Sequence, residues 1–257
     1  MGCCNSGSVR PGLFATGRPF AIHRIAGVVG NAAGTGPRKE RGHQTFGPEM
    51  MDFIETLRDR LSRRLPGEDA QFRMAPMARP RMREALAAAP EVRQSAVLLY
   101  LFPKLDDWCI VLMKRPDYDG THSGQVGIPG GRLEPGENHL QAAFREFEEE
   151  TGVSVDGDQL LGRLSDLFIP PSNYLVQPFV AYSLDSPRYA PDPMEVEEII
   201  ELSIGWLLNE AAVKRGKVRL SSGVTIESPY FEVAGHRVWG ATAMILSELK
   251  QVLQARR

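Results

Sequence analysis

The chain has 257 residues, 42% of them hydrophobic and 24% charged, with 30 Lys+Arg against 32 Asp+Glu for a formal charge of −2. That length supports a substantial core, and the composition excludes wholesale disorder and fibrous repeats. The charge balance excludes a general attraction to nucleic acid or anionic membrane, so any phosphate binding must be local.

Residues 1–49 hold ten of the 25 glycines, four prolines, six Lys/Arg and only two acids, with no sustained period. They are expected to be a disordered extension. Met1-Gly2-Cys3-Cys4-Asn5-Ser6 formally matches an acylation signal, the Arg-rich, acid-poor stretch also fits a transit peptide, and translated upstream sequence before Met50 or Met51 is the plainest reading. Only acylation of this end would bring the chain to a membrane. The longest apolar run, Ala96 to Phe102, is far short of the roughly 20 residues of a membrane span. Three cysteines (Cys3, Cys4, Cys109) make no disulfide framework, so a soluble cytoplasmic protein is the default, with an organelle as the alternative if residues 1–49 direct import.

Residues 50–94 form an N-terminal helix and connector. Phe53, Ile54, Leu57, Leu61 and Leu65 recur at helical spacing up to Pro66-Gly67, and a Pro/Ala/Arg-rich stretch follows. Residues 95–257 form the main domain. It opens with strands over 95–102 and 108–114, joined by the turn Lys104-Leu105-Asp106-Asp107. A loop over 115–125 leads to the turn Pro129-Gly130-Gly131. The spacing predicts a helix over 138–151, started by a capping box of Asn138 and Gln141 and stopped by Gly152. Strands follow over 160–169, 175–182 and 198–202, then a short helix over 204–212. A hairpin spans 230–233 and 236–239, and a last amphipathic helix carries Met244, Ile245, Leu249, Val252 and Leu253. Mixed strands between helices give an α+β fold, an α/β/α sandwich.

The stretch from Gly131 to Val153 carries the chemistry. Leu140, Ala143, Phe144, Phe147 and Thr151 share one helical stripe, while Glu146, Glu149 and Glu150 at i, i+3 and i+4 converge on one patch beside it. Carboxylates so close repel one another, and hard cations such as Mg²⁺ or Mn²⁺ suit them; a solvated acidic face is the plain alternative. Glu137 before the helix and Arg145 within it suggest an ion pair that fixes the loop.

Gly131-x5-Glu137-x7-Arg145-Glu146-Phe147-x-Glu149-Glu150-x-Gly152-Val153 resembles the Nudix box, with all seven fixed residues at the family's spacing. Phe147 stands where the family usually has an aliphatic residue. The resemblance implies a Nudix fold, a mixed sheet between helices, and hydrolysis of a nucleoside diphosphate linked to another group. By position it makes Glu146, Glu149 and Glu150 the metal ligands for Mg²⁺ or Mn²⁺ and counts them with Arg145 as catalytic. It gives Gly131, Glu137 and Gly152 the support of the loop–helix–loop.

Upstream, Leu112-Met113-Lys114-Arg115-Pro116-x3-Gly120-x3-Gly124-x3-Ile128-Pro129-Gly130-Gly131 resembles the coenzyme A pyrophosphatase branch of that family. Gly120 stands where the branch pattern has a second Arg, Ile128 where it has Phe, and Pro116 where it has Ser or Ala. The implied reaction cleaves CoA or acyl-CoA; ADP-ribose or another nucleotide derivative, and a silent nucleotide-binding module, are the alternatives. Arg115, His122, Gly124, Gly130 and Tyr174 are candidate substrate contacts, and Glu195 or Glu198 a candidate general base. Tyr174 ends the Pro170-Pro171-Ser172-Asn173-Tyr174 segment, which reads equally as a plain turn. Arg79, Arg81 and Arg83 could replace the missing arginine or be simply solvated, and Trp239 and Tyr230 could stack on adenine or merely pack. The expected partner is a small nucleotide pyrophosphate, with no nucleic acid, on a monomer or homodimer.

Overall fold

The computed structural model describes residues 48–76, 79–89, 91–117, 123–220 and 223–255. The readings made on residues 1–47, Gly120 and His122 lie outside them. No helix among the described residues is long and apolar enough to cross a membrane.

Helix α1 (Pro48–Ser62) leads into α2 (Glu68–Gln71), a 3₁₀ turn at Phe72–Met74 and α3 (Met82–Ala87). The stretch expected to be a plain connector therefore contains two short helices, because Gly67 starts α2 and the buried Ala70, Gln71 and Met74 tie it to the core. The main sheet contains β1 (Arg93–Lys104), β2 (Asp107–Lys114), β3 (Val126–Gly127), β4 (Gly130–Arg132), β5 (Leu160–Arg163), β6 (Leu167–Ile169), β7 (Tyr174–Tyr182) and β8 (Glu198–Ser203). Helix α4 (His139–Thr151) lies between β4 and β5, and α5 (Ile204–Leu208) follows β8. A second sheet of β9 (Val213–Arg219), β10 (Thr225–Val233) and β11 (His236–Val238) precedes α6 (Gly240–Gln254).

β1 and β7 run parallel, Ser95 opposite Val176, while the other pairings are antiparallel. A parallel pair needs a crossover, and α4 lies on it. β1 divides its other edge between two partners: Leu101–Lys104 pair with β2, Ser95–Val97 with β4. β1 and β2 therefore diverge, and the β3–β4 segment fills the notch.

Strand alternation sorts the core onto two faces. Ala96, Leu98, Tyr100, Phe102, Cys109, Val111 and Met113 pack against Ala143 and Phe147 of α4. Leu99, Leu101, Ile110 and Leu112 pack against Ile54 and Leu57 of α1 and Met244, Ile245 and Leu249 of α6. Helices thus cover both faces of a mixed sheet, the α/β/α sandwich expected.

Three elements differ from expectation. The apolar run 160–169 is two strands, both paired with β7: Arg163 lies opposite Phe179 and Leu167 opposite Val176, so residues 164–166 face only 177–178 and the ladder breaks there. Gly162, with φ 156°, marks a further register shift within β5. The hairpin strand expected at 230–233 begins at Thr225 and pairs with β9 along its length, a strand the apolar pattern does not announce. The short helix ends at Leu208, where Asn209 caps a separate 3₁₀ turn.

Candidate active site

Helix α4 is held at both ends. Asn138 Oδ1 accepts from Gln141 N at 3.0 Å and Gln141 Oε1 accepts from Asn138 N at 2.9 Å. Gly152 closes the helix at φ 72°, donating to Glu148 O at 2.7 Å, and a Cβ there would sit 2.7 Å from Ala190 Cβ. With Ala142, Ala143, Phe147 and Thr151 buried in the sheet, the helix has one rotational setting, which turns its glutamates toward the β4 edge.

Arg145 is the hub of that edge. Its Nε and Nη2 donate to the two oxygens of Glu137 at 2.7 and 3.0 Å, a planar fork on a planar carboxylate. Its Nη1 bonds Glu146 at 3.0 Å and Glu149 at 2.9 Å, and Nη2 also reaches Arg132 O at 3.1 Å. One guanidinium thus joins the loop after β4, the start of the box and two of the three helix glutamates. The Arg145 fork and the Glu134 N–H hold the Glu137 carboxyl below its usual range.

Glu150 points the other way. It is only 2% exposed, and its carboxylate accepts from Gly130 N at 2.8 Å and Arg115 Nη2 at 3.0 Å. Burial pushes it up to about 7 in spite of Arg115. Burial also raises Glu146, against the opposing pull of Arg145. Two desolvated carboxylates side by side are a place where a further positive charge is favoured.

The glycines of β4 are needed for this approach. A Cβ on Gly130, whose φ is 149°, would lie 2.5 Å from Val97 Cα. A Cβ on Gly131 would overlap the carboxyl group of Glu146.

Arg115, Gly130, Gly131, Glu146, Glu150, Tyr174 and Glu195 all line one cleft of about 1090 Å³. Glu149 is half-exposed on the Arg145 side and is not in that lining. Gly124, at φ 64°, serves the loop: its N–H bonds Pro116 O at 3.1 Å, and it is absent from the lining. Glu198 pairs with His236 at 3.1 Å and likewise stays outside it. Tyr230 is buried under Arg237, 5.2 Å from ring centroid to guanidinium, whereas Trp239 lines the cleft. Tyr174 carries Arg93 on its ring at 4.3 Å. Arg81 is engaged by Glu68 and Asp69, while Arg79 lines the cleft. Among the described residues, no three His, Cys, Asp or Glu side chains are drawn together as a ready metal cage; Arg145 and Arg115 hold the helix glutamates instead.

Sequence reasoning missed the part of the wall formed by Leu220, Ile226, Ala241 and Thr242. Thr242 Oγ1 donates to Val126 O at 3.2 Å, fastening α6 to β3. The only signal for this wall is weak, since β9 alternates apolar residues with cations and has few of the former.

A family model described as the NUDIX domain matches residues 92–226. A human protein named mitochondrial coenzyme A diphosphatase NUDT8 is 29% identical over 210 residues, covering 80% of this chain and 81% of that protein. A Photorhabdus laumondii protein named uncharacterized Nudix hydrolase NudL is 31% identical over 163 residues, 63% of this chain and 86% of its own length. Nudix hydrolase 3 of Caenorhabditis elegans is 28% identical over 162 residues, 56% of this chain and 66% of that protein.

Proposed function

The chain belongs to the Nudix family, and on that footing we propose that it cleaves the pyrophosphate of coenzyme A or an acyl-CoA, giving adenosine 3',5'-bisphosphate and the 4'-phosphopantetheine half. Pyrophosphate hydrolysis is the activity of the class; CoA is the finer reading. The observation that carries it is one cleft lined both by Glu146, Glu150, Arg115 and the Gly130-Gly131 turn and by apolar side chains, among them Val97, Ile128, Ile169 and Ile245. CoA has the matching parts, a pyrophosphate between a nucleotide and an extended, largely uncharged arm. The human relative named a coenzyme A diphosphatase adds support over four fifths of this chain.

The donor set fits a hard divalent cation: all three candidate ligands are carboxylates, and burial raises Glu146 and Glu150, so a cation beside them would favour their ionised forms. Held by Glu146, Glu149 and Glu150, Mg²⁺ or Mn²⁺ would neutralise the pyrophosphate and acidify the attacking water. The chain's own residues do the positioning. Arg145 fixes Glu146 and Glu149 relative to the Glu137 loop, and Gly130 N with Arg115 fixes Glu150. Water attacks one phosphorus, the anhydride P–O bond breaks, and the water's proton passes to a base. Glu195, exposed on the cleft wall, fits that role better than Glu198, which is engaged by His236. Trp239 offers the adenine a stacking face.

The Arg-rich, acid-poor composition of residues 1–49 supports import into an organelle, as does the mitochondrial name of the human relative.

The test is product identification with the full chain, CoA, ADP-ribose and NADH side by side, and Mg²⁺ and Mn²⁺ separately. Release of adenosine 3',5'-bisphosphate from CoA is the expected result. Turnover of ADP-ribose or NADH alone removes the CoA reading, and nucleotide binding without any cleavage favours a binding module.

A further inference from the structure

The arginines along the cleft differ in how they are satisfied. Arg115 is paired with Glu150 at 3.0 Å, and Arg132 is exposed on the rim. Arg79 is half-buried, and among the described residues no carboxylate lies within ion-pair distance of it. Its Nη2 donates to Phe168 O, a neutral carbonyl on the edge strand β6. Glu68 acts on Arg79 only through space, and Glu68 is already engaged by Met82 N at 2.5 Å and Arg81 at 3.4 Å. A guanidinium has five N–H donors, and partial burial without an anion is unfavourable. Arg79 thus brings an uncompensated positive charge to the cleft wall.

The strand ladder says how far that charge lies from the glutamates. Gly131 pairs with Ala96 on β1, Ala96 with Gln177 on β7, and β7 carries Phe168 opposite Leu175. Gly131 and Phe168 therefore lie on strands three spacings apart, about 14 Å at the usual interstrand distance. A pyrophosphate, two phosphoryl groups sharing one oxygen, spans less than half of that. Seated at Glu146 and Glu150, it leaves Arg79 for something else.

We propose that Arg79 clamps a second anionic group of the substrate, a phosphomonoester set apart from the scissile pyrophosphate, and so selects nucleotide pyrophosphates that carry an additional phosphate. This rests on the hydrolase reading above, in which the ribose 3'-phosphate of CoA is that group. Arg79 precedes the segment matched by the family model, which spans residues 92–226, so the clamp lies on the N-terminal arm that packs beside that segment. The rigid Pro170-Pro171 turn and Ile169 form the apolar surround, which strengthens a charge-assisted bond by excluding water.

Binding separates this proposal from catalysis. Calorimetric titration of the full chain with adenosine 3',5'-bisphosphate and with 5'-AMP should show at least about tenfold tighter binding of the bisphosphate, the order expected for one charge-assisted contact. Arg79→Met should remove that preference while changing AMP affinity less than about twofold. Arg79→Lys, which keeps the charge and loses the fork, should reduce it about threefold, and it serves alone if Arg79→Met does not fold. No preference in the parent chain, a preference that survives in both variants, or equal weakening of both ligands overturns the proposal. Since no turnover is needed, failure of the hydrolase reading shows separately in the product assay.

Discussion

The carboxyl group of Glu146 occupies the space that a side chain on Gly131 would take. The obstructing atoms are the end of a flexible side chain, so Gly131→Ala displaces the glutamate and leaves the backbone in place. We expect a thermal midpoint within a few degrees of the parent and a kcat at least about 100-fold lower, the scale for losing one preorganised electrostatic contact. Gly130→Ala is the contrast. There the new Cβ meets the backbone of Ala96 and Val97 at a φ of 149°, and the loss is one of folding, about 3 kcal/mol or more. Paired kinetics and thermal melts check both.

The Glu137–Arg145 fork predicts a pH-dependent contribution with a definite sign. Glu137 is held below its usual range chiefly by Arg145, so its contribution is present above the unfolded carboxyl value, near 4.5, and is lost as pH falls through the lower folded value. Urea melts of parent and Glu137→Gln should therefore differ at pH 7 and converge toward pH 3. Arg145→Lys should resemble Arg145→Ala in activity more than it resembles the parent, because an ammonium cannot serve Glu137, Glu146 and Glu149 from one plane.

Phe147 departs from the aliphatic residue usual at its place in the box, and its surroundings explain why that is tolerated. It is fully buried, its ring centroid 4.9 Å from that of Tyr100. Phe147→Ala should cost about 3–5 kcal/mol, and Phe147→Leu about 1–2 kcal/mol with kcat preserved, measured by denaturant melts and CoA turnover.

Much of this was legible in the sequence. The capping box at Asn138, the stop at Gly152 and the buried stripe through Phe147 follow from spacing, because each is a local rule that tertiary contacts reinforce. The mixed sandwich follows from the order of strands and helices. Local rules did not reach β9, an edge strand whose Lys214, Arg215, Lys217 and Arg219 mask its alternation. Nor did they show the split of 160–169, which depends on the register of its two halves against β7, a strand later in the chain. In the site, periodicity put three glutamates on one patch but could not divide them. Glu150 turns to Gly130 and Arg115, while Glu146 and Glu149 share Arg145, a division set by a strand turn 20 residues upstream of Glu150.

Cys109 offers a check on the core. Burial pushes its thiol up to about 12, in the layer between the sheet and α4. In a background of Cys3→Ser and Cys4→Ser, Cys109 should resist alkylation at pH 8 in buffer and react fully in denaturant.

The most direct test of the account is Glu149→Gln assayed on CoA with saturating Mg²⁺. Glu149 is half-exposed and contributes nothing to the buried core, so its loss leaves the fold alone. If the helix carboxylates carry a metal-assisted attack on the pyrophosphate, kcat falls at least about 100-fold while the thermal midpoint stays within a few degrees. Retention of more than a third of the parent kcat would contradict it.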